Sequence, residues 1–335
     1  MVLSHGFGLN MDIWHYQRAF LRGRYRLVFW DLRGHGRSST GPSDHYTLGQ
    51  CGADLAAVVA TCAPEGPLVI VGHSMGGMTV MEFADQQPDT IRERVVGGAF
   101  VATSSGQMAS VDWIGLLGLG RVVHKLGPGV LTALSRAPSY VDRTRRMVSS
   151  DLETRLVRHY SYASPVPSSL VRFTAAMIAS TPIDVLAAFL PGFDLHDKGT
   201  ALKAFADVPV LVLNGDGDLL TPLEHSEAIA AALPEAEHVL LPRAGHMLML
   251  EHPDVVNLHL AEPARPRARR DAPPGPSAAP RSPSPCPLGR GLLAGGRSPY
   301  DDRRGVGRAW CPRAPRCTIW ARAWPRCCAP VTWCC

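Results

Sequence analysis

The stretch Leu68-Val69-Ile70-Val71-Gly72-His73-Ser74-Met75-Gly76-Gly77 decides the architecture of this chain. An apolar, β-branched run feeds the pattern G-x-S-x-G, and the residues that follow, Met75–Gln87, carry a helical periodicity. A serine at so sharp a strand-to-helix turn is pushed clear of the sheet. Glycine two residues to either side, Gly72 and Gly76, leaves room for the tight backbone. Ser74 is therefore the candidate nucleophile, its hydroxyl presented to a base. The helix behind it starts with unpaired N–H groups, that of Met75 among them, where an oxyanion would be held. The bland alternative, an ordinary turn in which Gly and Ser fall together by chance, is disfavoured by the strand-turn-helix context.

A serine hydroxyl is a poor nucleophile at neutral pH until a base takes its proton. The chain has 13 histidines. His246, in Pro242-Arg243-Ala244-Gly245-His246-Met247, follows the last candidate strand, where a loop returns it to the sheet edge that carries Ser74. His73 adjoins the nucleophile inside the turn and reads as a packing residue. A third member, a carboxylate, has to fix the imidazole tautomer and balance its charged form. Leu213-Asn214-Gly215-Asp216-Gly217-Asp218 follows a strand and offers two, of which Asp218, nearer a Pro-started helix, is preferred and Asp216 stays as the alternative. A calcium loop is excluded there, because Leu219 and His225 stand where Gly and Glu are required.

Further from the turn, short apolar runs alternate with helical patterns, as in a mostly parallel sheet covered by helices. Candidate strands are Tyr25–Trp30, Leu68–Val71, Val95–Thr103, Val208–Leu213 and Glu237–Leu241. Candidate helices include Leu48–Thr61, Met75–Gln87 and Pro222–Leu233. About a hundred residues separate the third and fourth strands, with helix-like stretches at Trp113–Leu126, Ser150–Tyr162 and Ser168–Ala179. That is too long for a crossover loop, so a helical cap over the sheet edge is expected. Trp113, Leu117, Met147, Tyr160, Phe173, Met177 and Phe189 either line a greasy channel or pack the cap itself.

Composition divides the chain. Residues 1–260 carry a net charge of −5 and residues 261–335 one of +10, the latter from 14 Arg and no Lys. Only Cys51 and Cys62 of the nine cysteines precede the last fifty residues, so the body reads as reduced and cytoplasmic. No apolar run reaches the roughly 18 residues of a membrane span.

Taken together, residues 2–260 resemble the α/β-hydrolase superfamily, in the manner of its serine esterase- and lipase-like hydrolases. Four blocks carry the resemblance in order: His5-Gly6-Phe7-Gly8, Asp31-Leu32-Arg33-Gly34-His35-Gly36-Arg37-Ser38, Gly72-His73-Ser74-Met75-Gly76-Gly77, and Gly215-Asp216-Gly217-Asp218 with Gly245-His246. The chain order Ser, Asp, His is the order of that fold. By resemblance, the turn after His5-Gly6 supplies the second oxyanion donor, the Phe7 N–H beside that of Met75, while His5 is structural and the Asp31–Ser38 loop floors the pocket. The implied chemistry is hydrolysis of a small, lipophilic ester through an acyl-enzyme on Ser74, without metal or organic cofactor. The partner is a small molecule and not nucleic acid, and the oligomeric state is not legible. The same triad also serves cofactor-free haloperoxidases, C–C hydrolases and acyltransferases, and an inactive fragment is the non-enzymatic alternative.

The resulting domain plan is a hydrolase core at 1–104, a helical cap at 105–205, the rest of the core at 206–260 and a tail at 261–335. Two departures from the family stand out. Its first strands are missing, since Met1-Val2-Leu3-Ser4 alone precede His5; a start codon placed too late would explain this. The expected costs are an unpaired edge on the Tyr25–Trp30 strand and an oxyanion turn hung on a four-residue stub. The Pro/Arg/Ala/Ser-rich tail reads as disordered, with nucleic-acid binding through its arginines as a lesser alternative. It also reads as an out-of-frame translation: with G or C at most third codon positions, Trp324-Pro325-Arg326-Cys327-Cys328 becomes Leu-Ala-Pro-Leu-Leu one base earlier.

Overall fold

The computed structural model describes residues 1–108, 150–261 and 332–334. Seven strands form one sheet: β1 (Val2–Ser4), β2 (Val28–Trp30), β3 (Leu68–His73), β4 (Val95–Val101), β5 (Val210–Gly215), β6 (Glu237–Leu241) and β7 (Thr332–Cys334). Their spatial order is β6-β5-β4-β3-β1-β2-β7, and every neighbouring pair is parallel. This is the α/β-hydrolase arrangement, a parallel sheet flanked by helices.

Alternation along the strands explains how two cores form. Val2, Val28, Ile70 and Val212 enter the apolar cluster on one face of the sheet, while their chain neighbours Leu3, Phe29, Val71 and Leu211 enter the cluster on the other. With both faces covered, β3 is buried at all six positions, which is why its sequence reads as an uninterrupted apolar run.

Helices α1 (His15–Leu21), α2 (Leu48–Cys62), α3 (Met75–Gln86) and α4 (Pro88–Arg94) fill the first half. In α2, Thr47 caps the start by accepting from the Gln50 N–H at 3.1 Å, and Leu48, Cys51, Leu55, Val59 and Cys62 form its buried stripe. Between β4 and β5 lie α5 (Ser150–Ser161), α6 (Ser168–Ser180) and α7 (Ile183–Asp194); α8 (Leu223–Ala232), α9 (Leu248–Glu251) and α10 (Pro253–Ala261) close the fold. Among the described residues no single helix is long and apolar enough to cross a membrane. Helices α6 and α7 reach that length only together, and they meet at 92° with their apolar residues in the core.

Several expectations change. The four-residue stub is a central strand: β1 is sandwiched between β2 and β3, Val2 opposite both Val28 and Ile70, and its three residues are inaccessible to solvent. The Met1 nitrogen donates to the Arg26 carbonyl at 2.7 Å. Two flanking partners stabilise a strand too short to register as a pattern. The Tyr25–Trp30 strand contracts to Val28–Trp30, and its outer edge is not unpaired, because β7 lies against it with Val28 opposite Thr332. The part of the tail that is described, Thr332–Cys334, forms a strand. The body is not fully reduced either. Cys51 is a free buried thiol, but Cys62 is disulfide-bonded, and all other cysteines lie beyond residue 285. Helix α7 was not anticipated, since Pro191 lies inside it. The Trp113–Leu126 stretch, Met147 and most of the tail lie outside the described residues.

Candidate active site

β3 delivers the chain into the turn, and Ser74 takes φ 52°, ψ −123°, a conformation that a non-glycine residue holds only when its surroundings dictate it. Those surroundings are specific. The Ser74 N–H donates to the Val101 carbonyl at 3.0 Å, and the Ser74 carbonyl accepts from the Gly77 N–H at 2.8 Å, the Met78 N–H at 3.2 Å and the Thr103 hydroxyl at 2.7 Å. The flanking glycines are steric requirements. A methyl group at Gly72 would come within 2.5 Å of the Gly76 carbonyl oxygen, and one at Gly76 would overlap the carbonyls of Ser4 and His5.

The turn after β1 closes on the same spot. A side chain at Gly6 would meet the Ser74 Cβ at 3.0 Å and His73 Nδ1 at 2.9 Å, so Phe7 follows directly from a residue packed against Ser74. Two buried histidines brace this turn. His5 Nδ1 donates to the Gly6 carbonyl at 2.8 Å while its Nε2 accepts from the Leu32 N–H at 2.9 Å. His35 Nδ1 donates to the Arg33 carbonyl at 2.9 Å while its Nε2 accepts from the Gly8 N–H at 3.1 Å. Each set of partners selects the neutral Nδ1–H tautomer. Burial agrees, lowering His5 to about 4 and His35 to about 3, the second helped by His5 beside it. Asp31 ties the floor loop by accepting from the Met11 N–H at 2.7 Å and the Arg37 N–H at 2.9 Å.

On the opposite side, β5 and β6 deliver the other two candidates. Asp218 Oδ2 lies 2.9 Å from His246 Nδ1, and both side chains are almost wholly buried. Asp218 is itself fixed by the N–H groups of Leu220 at 2.8 Å and Thr221 at 3.0 Å and by the Thr221 hydroxyl at 2.7 Å. Asp216, the alternative, is exposed and accepts from the Arg243 N–H at 2.6 Å, away from the ring. The His246 ring reaches the elbow through His73: their centroids are 4.8 Å apart, and His73 Nε2 donates to the His246 carbonyl at 3.1 Å. Among the described residues no direct hydrogen bond joins the Ser74 hydroxyl to His246. The Asp218–His246 pair is closed, as a general base and its orienting carboxylate would be; bonds from a serine to such a base are often long until substrate binds.

No sequence pattern points to Thr103, and His35 enters the sequence reading only as part of the Asp31–Ser38 loop. Thr221 had a signal, the spacing Asp218-x-x-Thr221, in which an aspartate side chain caps the backbone two and three residues on. Of the suggested channel residues, Phe189 packs on His35 and Tyr46, with centroids 5.7 and 5.4 Å away, and so belongs to the core beneath the turn. A cavity of about 420 Å³ lined by Trp30, Asp31, Arg33, Ser38, Tyr46 and Asp54 borders the Asp31–Ser38 loop but contains none of Ser74, Asp218 and His246. Its charged groups are already matched, Arg33 holding Asp54 with two bonds of 2.7 Å.

Residues 1–253 match the family described as the alpha/beta hydrolase fold, and this chain belongs to that family. It is a hydrolase with esterase relatives. It is similar to the pimeloyl-[acyl-carrier protein] methyl ester esterase of Yersinia pseudotuberculosis serotype IB (strain PB1/+), 28% identical over 256 residues that cover 76% of this chain and 88% of the relative. Among solved structures it resembles a thermophilic esterase from Thermogutta terrifontis, at 25% identity and TM-score 0.55, with 77% of this chain and 86% of the other covered. It also shares the fold of a bromoperoxidase from Bacillus anthracis, at 21% identity and TM-score 0.60, covering 77% and 89%.

Proposed function

We propose that this chain is a serine esterase that cleaves a small, lipophilic carboxylic ester through an acyl-enzyme on Ser74. His246 acts as general base and then acid, Asp218 orients it, and the N–H groups of Met75 and Phe7 hold the oxyanion. The observation that carries this reading is the pairing of His246 with Asp218 at 2.9 Å, with the His246 ring centroid 4.8 Å from that of His73, the residue next to a serine held at φ 52°.

The steps balance without a metal or organic cofactor. His246 Nε2 takes the Ser74 proton as Oγ bonds to the ester carbonyl carbon, and the displaced electron pair moves to the carbonyl oxygen. Collapse breaks the carbon–oxygen bond, and His246 passes its proton to the departing alcohol. Water repeats the sequence, releasing a carboxylic acid and restoring Ser74. Each oxyanion donor contributes about 2.7–4 kcal/mol to lowering the barrier. Burial favours these contacts, because water competes little with the aligned dipoles. The Yersinia relatives are named for a methyl ester of a carrier-borne acyl chain, so esters of short alcohols are the first substrates to try.

The test is incubation with a fluorophosphonate probe and with a short-chain p-nitrophenyl ester, Ser74→Ala serving as control. Labelling and turnover that both vanish in the variant support the proposal. Labelling without ester turnover transfers the triad to another chemistry, and absence of both indicates an inactive site.

A further inference from the structure

The end of α5 and the residues after it, Ser161–Ser164, are wedged between the two loops that carry Asp218 and His246. A methyl group at Gly217, next to the acid, would lie 2.5 Å from the Ala163 Cβ. One at Gly245, next to the base, would lie 2.7 Å from the Ser161 carbonyl and 2.8 Å from the Ala163 nitrogen. The Met247 N–H, on the far side of the base, donates to the Ser161 carbonyl at 2.9 Å. One side chain ties this contact together. Glu251, at the end of α9, accepts through Oε2 from the Gly245 N–H at 2.6 Å and through Oε1 from the N–H groups of Ala163, at 3.0 Å, and Ser164.

Three main-chain donors from two distant segments converge on one half-buried carboxylate. Hydrogen bonds to an ionised acceptor are about twice as strong as neutral ones, and both oxygens are committed. We propose that Glu251 is a positioning residue, clamping the His246 loop to the Ser161–Ser164 segment so that the helical layer above the sheet and the base move as one unit. The inference rests on His246 being the base. It assigns to Glu251 no contact with substrate. A glutamine in its place would turn an NH2 group toward an N–H donor, setting donor against donor and pushing the two segments apart, whereas aspartate keeps the charge one methylene short.

The experiment compares kcat, KM, the pH profile of kcat/KM and the rate of fluorophosphonate inactivation in wild type, Glu251→Gln and Glu251→Asp. Expected for Glu251→Gln is a fall of roughly tenfold or more in kcat, a parallel fall in inactivation rate, a KM changed by less than about threefold, and a displaced acid limb in the pH profile; Glu251→Asp recovers part of the loss. Should Glu251→Gln fail to fold, Ser164→Pro removes one of the three donors in a backbone that Pro165 already biases toward extended, and the same kcat and pH-limb changes are expected from it. Folded variants with wild-type kcat and inactivation rate overturn the clamp, as does a loss that follows only the unfolded fraction. If wild type itself is not labelled at Ser74, the reading of the site and the clamp fall together; labelled wild type with unaltered variants removes the clamp alone.

Discussion

The imidazoles of His73 and His246 lie against each other with centroids 4.8 Å apart and planes inclined by 52°, and His73 donates from Nε2 to the carbonyl of His246. A carbonyl only accepts, so His73 carries its proton on Nε2, and its Nδ1 is buried without a partner. Burial, reinforced by His246, holds His73 well below the ordinary histidine range, so a neutral ring lies against that of the proposed base. His73→Leu is expected to leave the His246 carbonyl unsatisfied, lowering stability by about 1–3 kcal/mol and reducing kcat. His73→Gln, which retains an N–H donor, should lose less. Urea denaturation with steady-state kinetics on both variants checks this ordering.

Asp218 and Asp216 make a matched pair of tests. Asp218→Asn permits the wrong His246 tautomer and is expected to cut kcat by about 10⁴ with the fold intact. Asp216→Asn, exposed and bonded to backbone only, should stay within a few-fold of wild type. Equal effects in ester hydrolysis would contradict the assignment.

Thr221→Val keeps the shape of the side chain and removes the hydroxyl bonded to Asp218 at 2.7 Å. A hydrogen bond to a charged group contributes about 1.5–3 kcal/mol, so kcat/KM should drop by about 10- to 100-fold. Thr221→Ser restores the donor and should recover most of it.

Gly76→Ala tests the elbow by size alone. The added methyl overlaps two carbonyls of the β1 turn, a backbone clash that no rotamer relieves, and a loss on the order of 4 kcal/mol or more is expected. Thermal denaturation or soluble yield reads it. Gly41→Ala, where the space is open, is the control and should be neutral.

Acid should destabilise the fold through its buried histidines. Burial lowers His5 and His196 to about 4 and His35 to about 3, against 6.5 for the free side chain. Between those values the unfolded chain binds more protons than the folded one. The stability these neutral rings contribute is therefore complete above about pH 6.5 and is lost as pH falls toward the folded values, at about 1.4 kcal/mol per pH unit for each proton. Urea midpoints taken from about pH 7 down to about pH 5 should decline steadily; a flat profile would remove this account.

How legible was all this in the sequence? The elbow was, because a β-branched run, paired glycines and a helical period all agree over ten residues. The loops holding Asp218 and His246 were, because each follows a strong strand. What escaped were relationships set by tertiary contact. Val2–Ser4 is too short to show periodicity and is a strand only because β2 and β3 flank it. α7 holds Pro191, which a local reading takes as a break. Thr332–Cys334, in a stretch whose composition suggests disorder, is a strand because β2 offers it an edge. His35 and Thr103 reach their targets across 27 and 29 residues, beyond any spacing rule.

Covalent catalysis at Ser74 is best checked by rapid mixing with a p-nitrophenyl ester. A burst of p-nitrophenol equal to the enzyme concentration, with the acyl group found by mass spectrometry on the Ser74 peptide, is the predicted result. Turnover that persists in Ser74→Ala, or an acyl group on another residue, would contradict it.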